Sequence, residues 1–243
     1  MTYNVGLGKF SSPRIIARVI ASVQPDICAL QETTPTLTSL ILQELSPSLG
    51  YSSRSDGTLR ESGQRFDVAL LSSFPLFNPI CIPDMHHAAL IATIKDHSRE
   101  YQIVSCHLHP WNEDERVREL GTLLQFIPSD IPTLLMGDMN ALSQNKVYDD
   151  IRPLLPPHLT ESFTLQGRIR TDAVNSILYA GFSDTVEKHE LTIPTPMSRH
   201  YHDHLSFRVD YIFTRGVRCK SEPLYTPLTH TASDHYPVVG ISD

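Results

Sequence analysis

No apolar run in this chain approaches the roughly 18 residues that a membrane-crossing helix needs, so a spanning segment is not expected. No basic-then-apolar leader opens it, which points to a cytoplasmic protein. Met1 stands just ahead of the strand-like Tyr3-Asn4, so either the first strand is short or upstream sequence is missing. Cysteine is scarce. Cys28, Cys81, Cys106 and Cys219 show no CxxC spacing, which argues against a zinc site. Cys28 and Cys106 lie within apolar runs and read as small buried hydrophobes, a weak pointer to a reducing compartment. Positive charge is in deficit, with 20 Lys and Arg against 27 Asp and Glu and a net charge of −7. A protein that wraps long nucleic acid through phosphates alone would be basic. A phosphate substrate stays open, because a bound divalent cation can supply local positive charge. Repeats and low-complexity linkers are also absent.

What is present reads as a globular chain with a real core: 40% of its 243 residues are hydrophobic. Length alone allows one large domain or two small ones. Ser12-Pro13 is an N-cap and first helical turn, followed by a stripe of Ile15, Ile16, Val19, Ile20 and Val23. Ile27 to Leu30 reads as a buried strand. Leu37, Leu40, Ile41 and Leu45 give a second helix. Val68–Leu71, Ala89–Ile94 and Tyr101–Cys106 read as strands. Asn112 and Glu115 start a third helix carrying Val117, Leu120, Leu123, Leu124 and Ile127. Thr133–Met136 is a strand, Val174, Ile177 and Leu178 suit a short helix, and Val209–Phe213 and Tyr236–Ile241 are late strands. Strands outnumber helices and often follow one another directly, which implies an α+β fold. The proline-rich stretches Pro153–Pro157 and Thr192–Ser198 are expected to be exposed loops.

The chemistry-bearing residues gather at the ends of these strands, where a rigid backbone can hold reacting groups. Gly137-Asp138-Met139-Asn140 follows Thr133–Met136. Ser233-Asp234-His235 precedes Tyr236-Pro237-Val238-Val239. Tyr3-Asn4-Val5, Gln31-Glu32, Ser105-Cys106-His107 and Arg208-Val209-Asp210-Tyr211 complete the set. Asp-His and Asp-x-Asn are residue types that bind a hard metal ion and aim a water. Asp138 and Asn140 on extended backbone would face the same way; an ordinary Asx-turn is the alternative. Asp234 and His235 would face opposite ways unless the backbone turns there.

Taken in this order, and from the first residue nearly to the last, these pieces resemble the endonuclease/exonuclease/phosphatase family of metal-dependent phosphoesterases. The resemblance implies a single domain over 1–243, built as two packed mixed β-sheets with helices on both outer faces. It implies Mg²⁺ or Mn²⁺ held by Glu32 and Asp234, with Asn4 supporting the metal or the phosphate. It implies that Asp138 positions or deprotonates the attacking water, that Asn140 orients it, and that His235, paired with Asp210, faces the phosphate. His107 would lie near the leaving group or the phosphate. Asp67, which opens a buried strand, is the candidate to orient His107, or else only a turn cap. Arg65 and Arg208 are candidate phosphate contacts, as are Arg116, Arg168 and Arg170, though most arginines are solvated. Trp111 either stacks on a base or staples a helix start. The segment His200–His204 is read as a polar substrate-side loop, with a second metal site the less favoured reading.

The expected function is divalent-metal-dependent phosphoester hydrolysis by in-line attack of water, with nucleic acid phosphodiesters as first substrate. A soluble phosphomonoesterase or phospholipid phosphodiesterase is the second reading and a non-catalytic binding module the third. A monomer is expected.

Overall fold

The computed structural model describes residues 1–45, 49–57, 64–96, 99–186, 190–201 and 205–242. In the first half, β1 (Thr2–Asn4), α1 (Pro13–Val23), β2 (Ile27–Thr33), α2 (Pro35–Leu45), β3 (Tyr51–Ser55), β4 (Asp67–Ser72), β5 (Phe77–Cys81), β6 (Ala88–Asp96) and β7 (Arg99–His107) follow in order. The second half contributes α3 (Glu113–Gln125), β8 (Thr133–Asp138), α4 (Lys146–Ile151), α5 (Pro157–Phe163), β9 (Thr164–Leu165), β10 (Arg168–Ile169), α6 (Asp172–Tyr179), β11 (Ser183–Asp184), β12 (Asp210–Arg215), β13 (Cys219–Pro223) and β14 (Val238–Ser242).

The long strands form two six-stranded mixed sheets, ordered β13-β14-β1-β2-β4-β3 and β11-β12-β8-β7-β6-β5. Side chains alternate faces along each strand, and the core divides accordingly. On β2, Ala29 points into the layer between the sheets with Leu70, Leu90, Ile103, Met136 and Ile212. Its neighbours Cys28 and Leu30 point outward, against Ile16 and Ile20 of α1 and Ile41 of α2. Beyond the second sheet, Val104 and Leu135 pack on Leu120 and Leu123 of α3 and Val174 and Ile177 of α6. The result is a four-layer α+β sandwich with helices on both outer faces.

Local chemistry sets the helix ends. The Ser12 hydroxyl accepts from the Ile15 N–H, and Gln24 closes α1 with a left-handed φ of 52°. Asn112 Oδ1 accepts from the Asp114 and Glu115 N–H groups at 2.8 and 3.2 Å. Three acidic residues in the first turn of α3 suit its dipole.

Several boundaries differ from the sequence reading. β12 begins at Asp210 and β14 at Val238, so Asp234 and His235 precede the last strand on bent backbone. β3, β5 and β13 were not legible, since each is an edge strand and two of them carry proline. Pro157 opens α5 instead of closing a loop. Thr192 and Thr195 are fully buried, so their segment is not an exposed loop.

Register across the second sheet sets out the site. β7 runs parallel to β8 with His107 opposite Asp138. β12 lies antiparallel on the other side with Asp210 opposite Asp138. Three chemistry-bearing side chains therefore occupy one row across three strands. Gly137 makes the close approach possible: a Cβ there would lie 1.9 Å from the Cys106 carbonyl oxygen, and its φ of +153° is one that other residues rarely adopt. Any side chain would push apart the strands that carry His107 and Asp138.

Candidate active site

Asp138 is the hub. It is buried, and both of its oxygens are engaged. Oδ1 accepts the Asn140 N–H at 2.9 Å, and Oδ2 accepts the Asn4 side-chain N–H at 3.0 Å. His107 Nε2 lies 3.4 Å and His235 Nε2 3.9 Å from Oδ2. Asn140 has a φ of 48°, so the extended-backbone expectation does not hold and an Asx-type turn forms in its place. The Asn140 amide donates to the Leu108 carbonyl at 3.0 Å.

His235 Nδ1 lies 2.8 Å from Asp210 Oδ2, a pairing that fixes the ring. The other Asp210 oxygen is buried and accepts no hydrogen bond among the described residues. Burial alone would lower the His235 pKa. Asp210 first, then Asp138 and Asp234, outweigh it and hold the imidazole well above its ordinary range. For Asp138, burial first and Asp210 second push the carboxyl up to about 7, against the pull of His235 and of the Asn140 and Asn4 hydrogen bonds. Asp138 and His235 thus hold a carboxylate poised near neutrality beside an imidazolium.

Glu32 enters from the first sheet. It sits where the β2–β4 register shifts, with a φ of 50°, a strained conformation that turns it off the strand. Its pKa is raised by burial and by Asp234; His235, the Asn4 hydrogen bond and Lys9 oppose this. Asn4 Nδ2 reaches Glu32 Oε1 at 3.4 Å as well as Asp138, while its Oδ1 accepts the Gly6 N–H at 3.0 Å. Asn4 therefore bridges two carboxylates through its amide and does not offer them its oxygen. The Ser233 hydroxyl donates to the Asn4 carbonyl at 2.8 Å, which ties the Asp234-His235 turn to β1.

This donor set fits a divalent cation. Glu32 and Asp234 are hard oxygen donors whose mutual repulsion a cation would relieve. Asp138, Asp210 and His235 also place ligand atoms within 4.8 Å of one another. An ion there would displace the Asp210–His235 hydrogen bond, so Glu32 and Asp234 are the better seat.

Other expected residues fall elsewhere. Asp67 is fully buried, but its oxygens take the Gly57 N–H at 2.9 Å, Arg54 at 2.8 Å and Arg65 Nε at 2.9 Å. The carboxylate beside His107 is therefore Asp138, not Asp67. The His107 ring meets His87 at 3.9 Å between centroids, and His87 stacks on Phe66 at 4.9 Å. Arg65 is held by Asp56 and Asp67. Arg208 is buried, paired with Asp184 and stacked over the Tyr211 ring at 4.2 Å. Arg116 is buried against Glu113, and Arg170 is paired with Asp114 and Asp172. Arg168 stands exposed in β10. Residues 202–204 of the histidine-rich segment lie outside the described residues.

Trp111 is 55% exposed and meets His158 edge-on. It walls a cleft of about 210 Å³ that opens on Asn140, Asp234 and His235. Phe163, Leu159, Ile193, Leu205 and Phe207 are among the other apolar residues of its wall. No sequence motif marks this cleft, because its residues come from five separate segments. Thr192, in the segment expected to be a loop, instead fixes the β12 entry by accepting the Val209 and Asp210 N–H groups at 3.1 and 3.2 Å.

Comparison with known proteins agrees with this geometry. A model of the Endonuclease/Exonuclease/phosphatase family matches residues 1–235. Among solved structures, an endonuclease/exonuclease/phosphatase family protein from Leptotrichia buccalis superposes with a TM-score of 0.73 at 19% identity, covering 100% of this chain and 98% of that one. Beta toxin from Staphylococcus aureus gives 0.71 at 14% identity over 100% and 98% of the two chains. A mannosyl-6-phosphatase from Bacteroides thetaiotaomicron gives 0.65 at 15% identity over 100% and 98%. No curated protein matches the sequence. At these identities the structural likeness speaks for the fold.

Proposed function

Since this chain belongs to the endonuclease/exonuclease/phosphatase family and so to the phosphoester hydrolases, we propose that it is a divalent-metal-dependent enzyme that cleaves small phosphoesters by in-line attack of water. One observation carries this reading: Asp138, raised to about 7, lies 3.9 Å from the ring of His235, which Asp210 fixes as an imidazolium. Asp138 takes the proton of the attacking water. His235 faces the charge that develops on the phosphoryl oxygens, where a fixed cation lowers the barrier. Asn4 and the Asn140 N–H hold the Asp138 carboxylate in place. Glu32 and Asp234 would hold Mg²⁺ or Mn²⁺, which when bound neutralises phosphoryl charge.

Nucleic acid, the first expectation, finds less support in the site than a small ester does. A polymer backbone needs a track of cations. Arg54 and Arg65 are neutralised by Asp56 and Asp67, Arg208 by Asp184, and Arg116 by Glu113. A panel with Mg²⁺ separates the readings: single- and double-stranded DNA, RNA, sugar phosphates, sphingomyelin and p-nitrophenyl diesters. Turnover of the small esters with intact DNA and RNA supports the proposal. Turnover of the polymers alone restores the nuclease reading, and no turnover of any substrate removes the catalytic one.

A further inference from the structure

The cleft beside His235 has a chemistry of its own. Among its described lining residues the only acidic or amide members, Asn140 and Asp234, stand with His235 where it meets the catalytic row, and away from that end the described wall is mostly aromatic and aliphatic. No lysine or arginine is among its described lining residues; the basic groups there are the imidazoles of His158 and His200. A second phosphate, or a sugar ring with several hydroxyls, would find few partners on that wall and would lose hydration. A flat apolar group has no hydrogen bonds to water to give up, and its release from water favours binding. Size narrows the choice further: an apolar cavity of about 150 Å³ accepts benzene, and drug-sized ligands need about 300 Å³ or more. At about 210 Å³ this cleft matches one ring or a small fused ring.

We propose that the cleft is the subsite for the organic group of the substrate, and that this group is a compact aromatic ring esterified to a single phosphoryl group. The inference rests on the phosphoesterase reading and specifies its substrate class. Trp111, exposed and edge-on to His158, forms one jaw. Phe163 and Phe207, tilted at 5.4 Å between ring centroids, form the base. With the ring seated, the phosphorus lies at the end of the cleft where Asn140, Asp234 and His235 converge.

Phosphonates test this without the bias of a reactive aryl leaving group, because their P–C bond is not hydrolysed. Binding of phenylphosphonate and methylphosphonate is measured by calorimetry on the Mg²⁺-loaded protein. Phenylphosphonate is expected to bind at least about tenfold tighter, from burial of one ring. Trp111→Ala, at an exposed position, and Ser198→Phe, which fills the cleft from its rim, should each bring that ratio close to one. Equal affinities in the wild type would overturn the proposal, as would a ratio that neither variant moves. Hydrolysis of methyl p-nitrophenyl phosphate, run alongside, reports separately on the phosphoesterase reading. Its absence with the phenyl preference intact would place the error in the catalysis and not in the cleft.

Discussion

Two of the buried charge groups in this fold, around Arg116 and around Asp138, are treated in opposite ways. Around Arg116 every demand is met. Its five N–H donors go to the His109 and Pro110 carbonyls, to Glu113, and to the Ser162 carbonyl and hydroxyl. Glu113 in turn accepts the Ala173 N–H at 2.8 Å. Around Asp138 the demands conflict. Asp138 and Asp210 sit opposite each other, Asp234 adds to the cost of ionising Glu32, and among the described residues one Asp210 oxygen is left without a donor. A saturated buried charge pins segments together, here α3, α5 and the Pro110–Trp111 turn. An unsaturated one stores the electrostatic demand that a substrate and a cation can answer.

The sharpest way to break this contrast is to neutralise one charge in each group. Asp138→Asn should lower kcat by about a thousandfold, in the range that a positioned general base contributes. It should not lower the melting temperature at pH 8. The folded pKa of Asp138 is raised from 3.8 to about 7, so the ionised form is disfavoured by folding, and its stability contribution is lost as pH rises through that window. Arg116→Leu should do the reverse and destabilise the fold by about 3–5 kcal/mol, since it leaves Glu113 buried without its partner. Thermal unfolding of both variants beside turnover checks the pair.

Asp210→Asn sharpens the contrast within the row of His107, Asp138 and Asp210. At saturating Mg²⁺ the wild-type kcat/KM should rise with pH as Asp138 ionises and fall where His235 loses its proton. Asp210 raises both groups, so its loss should move both limbs of the profile toward lower pH. A profile that only drops in height would mean Asp210 acts otherwise. Glu32→Gln, which replaces a hard ligand with a poor one, should raise the half-saturating Mg²⁺ concentration at least about tenfold.

The smallest expected effect lies at the saturated side. His109 Nδ1 accepts the Trp111 and Asn112 N–H groups at 3.1 and 3.2 Å, and burial first, then His86, lowers its pKa from 6.5 to about 4. The folded value is depressed, so its contribution is whole above pH 6.5 and is lost as pH falls toward about 4. His109→Gln should flatten the decline of melting temperature over that window.

Much of the candidate site was legible because strand-end residues are marked by the apolar runs beside them. The structure brings Asn4, Glu32, His107, Asp138, Asn140, Asp210, Asp234 and His235 together. Which carboxylate meets which histidine was not legible. Asp67 and Asp138 both border buried strands, and only register, which is set by long-range pairing, puts Asp138 and not Asp67 beside His107. Arg208 adjoins the Asp210 motif in sequence, yet it turns away to Asp184. The apolar cleft was invisible for the same reason, since its jaws are far apart along the chain.

Turnover of a p-nitrophenyl phosphodiester with Mg²⁺, then with excess chelator, then with Mg²⁺ restored, tests the central claim most directly. Hydrolysis that stops with the chelator, returns with the metal and is absent from Asp138→Asn is the predicted result; full turnover in chelator, or an active Asp138→Asn, would contradict it.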